Sequence, residues 1–130
     1  ESLYRPRTAA ALREGQMVGE EELAEARAGR ALLRADLENR MAEAVIDLWI
    51  SPATTEPAPE GLESTGSPIM NLPWTYAGSP AITLPAGTAS NGLPLGLQCT
   101  GAAMADEALL AWVAPMADLL TSQSSVTGIR

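Results

Sequence analysis

Serine and threonine hydroxyls are the candidate nucleophiles of this chain, and the side chains that usually activate them are missing. The sequence contains no histidine and no lysine, and all eight basic residues are arginines. A hydroxyl nucleophile normally transfers its proton to a neighbouring His or Lys. An Asp, a Glu or a terminal amine could serve as the base instead, which leaves unusual carboxylate chemistry as an alternative. The sequence therefore predicts no catalytic residue in this chain.

The acidic residues form two patterns with different expected roles. Residues 20–22 are three glutamates that follow Gly19 at the predicted start of a helix, where carboxylates stabilise the positive end of the helix dipole. Asp47 is a lone acid in the apolar run 45–50 (VIDLWI), and an unpaired carboxylate is costly to bury. We therefore expect Asp47 to be buried and hydrogen-bonded, with a structural role.

Metal and cofactor sites are not predicted. The chain has no histidine and Cys99 is its one cysteine, so it lacks the ligands of a zinc site. Gly87, Gly92 and Gly96 match neither a phosphate-binding loop nor a dinucleotide fingerprint. Cys99 lies in a predicted buried strand and is expected to be a core residue. We expect no metal and no cofactor.

Apolar residues three or four apart predict about three helices. These are a short helix over 7–14, a long helix over 20–44 and an amphipathic helix that begins at Asp106. Trp112 is expected on the buried face of the last helix, together with its apolar neighbours Leu109, Val113, Met116 and Leu120. Pro115 is expected to kink or end that helix, and 120–130 to be a frayed tail.

Short runs of branched and apolar residues predict about three strands, at 45–50, 81–84 and 94–100. Asn91-Gly92 predicts a tight turn that would pair the last two strands antiparallel. All three strands are expected to be buried on both faces. The proline-rich stretch 52–73 is predicted to be a long loop that continues through Trp74.

Size and charge limit the classes of function. A chain of 130 residues is expected to be one domain or a partial domain spanning 1–130. The net charge of −8 disfavours nucleic acid, and no apolar run is long enough to predict a membrane helix. A single cysteine cannot form an intramolecular disulfide, which agrees with a reducing compartment. We expect a cytoplasmic protein with no nucleic-acid or membrane partner.

Seven short motifs occur in a fixed order along the chain. They are DLWISP from Asp47, TGS at 65–67, NLPW at 71–74, AGSPA at 77–81, LPAG at 84–87, GLPLGLQ at 92–98 and DEALL at 106–110. In this order the motifs resemble the final third of amidase signature enzymes. The resemblance implies an α/β fold, the C-terminal part of a mixed-sheet amidase-signature architecture.

The resemblance also implies a chemistry. Amidase signature enzymes hydrolyse amides with a Ser–cis-Ser–Lys triad, in which the lysine acts as base through the bridging serine and backbone N–H groups stabilise the oxyanion. The Gly/Ser-rich core that carries this triad is absent from this sequence. The implied role is therefore a C-terminal segment of an amidase that is inactive alone, and the alternative is a non-catalytic binding or interaction module derived from the same fold.

Four residues are implied as substrate-binding by the resemblance: Gly66, Ser67, Asn71 and Trp74. They would belong to one wall of the pocket of a small-molecule amide substrate, and Pro68 and Trp74 would favour an apolar substrate group. A glutamine-type amide would need a polar clamp, which these residues do not supply. Because about three helices cover the predicted sheet incompletely, the isolated chain is expected to self-associate.

Overall fold

The structure, a computed structural model, describes residues 3–126. Its elements in chain order are α1 (Pro6–Gln16), α2 (Glu20–Ala44), β1 (Trp49–Pro52), α3 (Leu72–Ala77), β2 (Ala81–Thr88), β3 (Pro94–Thr100) and α4 (Asp106–Val126). The predicted α/β class with a small three-stranded sheet is confirmed. The described part of the chain has a fourth helix, α3, where the sequence predicted a loop.

The sheet is antiparallel, with strand order β1-β3-β2. The predicted turn between β2 and β3 is confirmed: Gly92 has a φ of 84°, and the Leu93 N–H donates to Asn91 Oδ1 over 3.2 Å. A bulge between Pro85 and Gly87 shifts the register of β2 against β3. This bulge lets β2 run on to Thr88, four residues beyond the predicted end.

One face of the sheet is apolar and packs against α4. Its core consists of Leu84 and Cys99 from the strands and Leu109 and Val113 from the helix. Burial raises the pKa of the Cys99 thiol, so its neutral form is favoured. The expectation that Cys99 is a core residue is confirmed.

The predicted start of the first strand is wrong, whereas the predicted end of the long helix at residue 44 agrees with α2. Val45 has a φ of 53° and ends α2, with its N–H donating to Ala42 O and the Ile46 N–H donating to Met41 O. This pair of bonds is the arrangement that commonly terminates helices at a left-handed residue. The strand consequently begins at Trp49 rather than at residue 45.

Two expectations about burial are also wrong. Asp47 lies in the turn that follows Val45 and is exposed, so folding does not bury its carboxylate. The strands are not buried on both faces. β1 alternates between half-buried and exposed residues, with Ile50 exposed, because α4 covers the apolar face at β2 and β3.

Helix α4 continues past Pro115 to Val126, contrary to the predicted end and frayed tail. Pro115 and Ala111 are both exposed, so water can satisfy the carbonyl that the missing proline N–H leaves free. Trp112 is half exposed rather than on the buried face. The last part of the predicted tail, 127–130, lies outside the described residues.

The long helix α2 contributes little to the core. Of its 25 residues only Met41 is buried, and it meets the rest of the fold mainly through α3. Among the described residues, none of the helices combines the length and the apolar character that crossing a membrane requires.

Candidate functional site

A cleft of about 530 Å³ lies between the loop after β1 and the β2–β3 hairpin. It is lined by four segments, 53–59, 65–67, 83–85 and 94–96. Gly96 permits their close approach, because a Cβ atom there would lie 2.5 Å from Thr83 Cγ2 and 3.0 Å from Ala53 Cβ. The Ala53 N–H also donates to Gly96 O over 3.0 Å, which joins the loop to β3.

The sheet face that carries Gly96 continues as a row of polar side chains. Trp49 lies opposite Thr100 and Ser51 opposite Gln98, and directly paired residues share a face. Gln98 and Thr100 are 2% and 1% exposed, and Gln98 Nε2 donates to Met70 O over 3.3 Å. Within the described residues, Trp49 Nε1, Ser51 Oγ and Thr100 Oγ1 are buried without a hydrogen-bond partner.

Two of the residues implied as substrate-binding, Gly66 and Ser67, lie in the lining of the cleft. Gly66 has a φ of 90°, and its N–H donates to Ser64 Oγ over 3.1 Å. Ser67 Oγ accepts a longer bond, 3.4 Å, from the Ile69 N–H. Each of these bonds spans two residues, so they constrain only the local backbone of the 64–69 segment.

The other two, Asn71 and Trp74, lie beside the cleft rather than in its lining. Asn71 Nδ2 donates to Ala53 O over 3.4 Å and so contacts the backbone of a lining residue. Trp74 belongs to α3, not to a loop, and its ring lies 6.2 Å from the ring of Trp49, tilted by 33°. The structure therefore brings two of the four residues together and leaves two as their neighbours.

Helix α3 is held in place at its C-terminal end by α2. Arg30 Nε donates to Tyr76 O over 3.0 Å, and Arg34 Nε donates to Ala77 O over 2.7 Å. Cationic donors at the last carbonyls of a helix satisfy groups that have no partner within the helix and complement its dipole. The Tyr76 hydroxyl in turn donates to Ala26 O of α2. These contacts fix the helix that carries Trp74.

Sequence reasoning missed the hairpin side of the cleft. Thr83, Pro85, Leu95 and Gly96 line it, whereas the sequence places them only in predicted strands or in the family motifs and predicts no site there. The signal that could have found them is Gly96 itself. A glycine inside a strand often marks a place where another chain segment approaches closely.

The cleft wall carries few ionisable side chains. Glu56 is the one ionisable residue among those that line it. The described residues hold no group of three His, Cys, Asp or Glu side chains that could bind a metal ion. What the wall offers is apolar surface, hydroxyl groups and one carboxylate.

Among curated proteins, the chain is 34% identical over 88 residues to a glutamyl-tRNA(Gln) amidotransferase subunit from Trichormus variabilis, an alignment that covers 62% of this chain and 18% of that protein. The protein of the same name from Bacillus thuringiensis is 38% identical over 79 residues, which cover 55% of this chain and 16% of that protein. The alignments thus span less than a fifth of the length of these relatives.

The solved structures that resemble this chain are also much longer than it is. A crystal structure of an amidase superposes with a TM-score of 0.77 and 29% identity, over 90% of this chain and 29% of that one. A 6-aminohexanoate cyclic dimer hydrolase complexed with substrate gives a TM-score of 0.52 and 26% identity, over 75% of this chain and 24% of that one. The family model described as Amidase matches residues 2–110, which is most of the sequence. The chain therefore belongs to the amidase family.

Proposed function

We propose that this chain is the C-terminal segment of an amidase that hydrolyses the C–N bond of carboxylic amides by a Ser–cis-Ser–Lys mechanism. In this proposal the chain, residues 1–130, is a partial domain that supplies scaffold and one wall of the substrate pocket. The observation that carries the proposal is the cleft lined by Gly66 and Ser67 in a chain of the amidase family.

The catalytic residues must come from outside this chain. The sequence has neither lysine nor histidine, so a hydroxyl here would have no ordinary base. The exposed apolar side chains of Ile50, Leu110 and Trp112 support the presence of further protein, because such surface is usually covered by a partner. We propose that the rest of the amidase covers part of this surface.

The four proposed substrate-binding residues divide by position. Gly66 and Ser67 would touch the small-molecule amide, since they line the cleft. Asn71 and Trp74 would position the wall, Asn71 through the Ala53 carbonyl and Trp74 through Trp49. We propose no cofactor, no nucleic-acid partner and no membrane partner, and a cytoplasmic location, which fractionation of cells expressing the protein would test.

A chimera tests the proposal directly. The segment of the solved amidase that matches this chain would be replaced by residues 1–130, and hydrolysis of simple aliphatic and aryl amides compared with that of the 130-residue chain alone. We expect the chimera to be active and to be blocked by a serine-directed inhibitor, and the chain alone to be inactive. Inhibitor-sensitive turnover by the chain alone would contradict the proposed division of labour.

Substitution in the cleft tests the role of the wall. In the active chimera, Ser67→Phe should lower kcat/KM by obstructing the cleft. The matched control is Ser90→Phe, since Ser90 is an exposed residue of the hairpin turn outside the lining. If the chimera stays inactive while the chain alone binds another macromolecule, the non-catalytic module is the better description. Equal kcat/KM for the two variants would remove Ser67 from the pocket.

We also propose that the isolated chain self-associates. β1 is an edge strand of the described sheet, and α4 exposes Leu110, Trp112 and Leu119. Unpaired strand edges and exposed apolar surface favour association. Sedimentation velocity at several concentrations should give a concentration-dependent mass, and a monomer at every concentration would contradict this expectation.

A further inference from the structure

The cleft wall is poor in groups that could hold a negative charge. None of its lining residues is an arginine, and four of them are prolines, which have no backbone N–H: Pro57, Pro59, Pro85 and Pro94. A carboxylate needs charged or clustered N–H donors to replace its water when it is bound. This wall does not supply them.

Several of the remaining donors are already engaged within the fold. The Ala53 N–H donates to Gly96 O over 3.0 Å, and the Gly66 N–H donates to Ser64 Oγ over 3.1 Å. Thr54 Oγ1 donates to Glu56 O over 2.7 Å. A bound anion would have to compete with these bonds, whereas an apolar group would leave them intact.

Two arginines of α2 are engaged elsewhere in the fold. Arg30 and Arg34 direct their Nε–H groups to the carbonyls of Tyr76 and Ala77 at the end of α3. Moving either guanidinium to the cleft would leave those helix carbonyls without these donors. These two guanidinium groups therefore hold α3 rather than face the cleft.

We propose that this wall selects amides whose distal group is neutral or positively charged over amides that carry a carboxylate. In this proposal the Glu56 carboxylate attracts the positively charged groups and repels the carboxylates. The inference rests on the proposed function, because it takes the cleft to be part of the substrate pocket. Apolar surface from Leu95 and the lining prolines accommodates an alkyl chain, and the Glu56 carboxylate attracts an ammonium group at its end.

Binding to the full 130-residue chain tests the charge preference without any turnover. Pentylammonium chloride, sodium pentanoate and pentanamide would be titrated in turn while backbone amide shifts are followed by NMR. We expect pentylammonium to perturb residues 53–59 and 65–67 and to bind more tightly than pentanoate. In Glu56→Gln its affinity should fall about two- to fivefold, the change expected for one exposed ion pair.

The matched control is Glu60→Gln, because Glu60 lies in the same loop but outside the cleft lining. It removes the same charge from the chain, so an unchanged affinity in this variant together with a loss in Glu56→Gln identifies a local effect. Equal losses in the two variants would overturn the role of Glu56. Binding of pentanoate as tight as that of pentylammonium, or no shift with pentylammonium in the millimolar range, would overturn the charge preference.

Measurements of turnover distinguish a failure of the charge preference from a failure of the proposed amidase function. In the chimera, kcat/KM would be compared for pentanamide, 5-aminopentanamide and 4-carbamoylbutanoate, which share chain length and reacting group. We expect the carboxylate-bearing amide to be the poorest substrate, and Glu56→Gln to lower the ratio of kcat/KM for 5-aminopentanamide to that for pentanamide about two- to fivefold. Turnover of all three with ratios unchanged by Glu56→Gln would overturn this inference and leave the amidase proposal standing. An inactive chimera would contradict the amidase proposal, while the NMR titration would still decide the charge preference.

Discussion

Replacing Val45 with glycine should stabilise the protein. Val45 ends α2 with a φ of 53° and a ψ of 50°, in the left-handed region. An L-residue in that region carries a cost of about 1–2 kcal/mol, because its Cβ approaches the following carbonyl oxygen. Glycine carries no such cost, but its larger conformational entropy in the unfolded chain lowers the free energy of unfolding by about 0.5–1 kcal/mol. Val45 is 88% exposed, so removal of its side chain loses little burial.

The expected net gain is therefore about 0.5–1 kcal/mol. For the 130-residue chain, an unfolding entropy of about 2.1 cal/mol/K per residue gives about 0.27 kcal/mol/K, so Tm should rise by about 2–4 °C. Thermal unfolding followed by circular dichroism measures this rise.

Two control variants separate backbone strain from side-chain loss. Val45→Ala keeps a Cβ in the left-handed conformation and should recover less than half of the gain. Val18→Gly removes the same side chain from a residue whose φ is not positive, and it should lower Tm because of the entropy term and because Val18, 44% exposed, loses some buried apolar surface. A Tm for Val45→Gly equal to or below that of the unsubstituted chain would refute the account of strain at this helix end.

Three further substitutions or labels test other parts of the structure. Gly96→Ala should lower the free energy of unfolding by about 1–3 kcal/mol, because the new methyl group would overlap Thr83 Cγ2. Gly15→Ala is the control, since no atom lies within 4 Å of the position of its new methyl group, and it should have no such cost. Equal Tm values for the two variants would contradict the close packing at Gly96. Asp47→Ala should change the unfolding free energy by less than about 0.5 kcal/mol, since Asp47 is exposed, and a loss of several kcal/mol in a denaturant titration would restore the buried role expected from the sequence. Cys99 should react with a maleimide only slowly at neutral pH, because burial raises the pKa of its thiol and blocks access of the reagent. The reaction should become faster in denaturant. Fast labelling of the folded chain would show that Cys99 in β3 is accessible to solvent.

The elements that the sequence predicted well are those whose signals are local. The helix over 20–44 has the apolar spacing and acidic first turn that a long helix needs, and its bounds agree with α2. Asn91-Gly92 carries the backbone freedom of a tight turn within two residues. For these segments, no contact with a distant part of the chain is needed to choose the structure.

The elements that were missed depend on distant contacts. Helix α3 has six residues, too few for a periodic pattern, and is held by Arg30 and Arg34 from more than 40 positions earlier in the chain. The start of β1 was misplaced because valine is a poor local signal for the left-handed residue that begins the turn after α2, whereas Gly78 at the end of α3 is a good one. Local preference was overridden at Val45 by the need to turn the chain towards the sheet.

The candidate site shows the same division. The resemblance named Gly66 and Ser67, which lie in the cleft, but the opposite wall comes from the hairpin residues that the register of β2 and β3 places there. A cleft between a proline-rich loop and a strand pair depends on how the loop returns to the sheet. The hydrogen bond from Asn71 Nδ2 to Ala53 O, for example, joins residues 18 positions apart, and a local sequence pattern cannot predict such a bond.

The attachment of α2 has a consequence for how the protein opens. A helix of 25 residues is about 37 Å long, and this one is held mainly by side-chain hydrogen bonds to α3 rather than by buried apolar surface. Such bonds contribute only about 1 kcal/mol each, since water can replace them. The helix should therefore swing away from the sheet as a unit at a free energy well below that of global unfolding, and its amide protons should exchange together and earlier than those of β3. A swung-out α2 also offers its Arg30 and Arg34 to the α3 of a second molecule, which makes reciprocal exchange of this helix the natural route by which two copies would join.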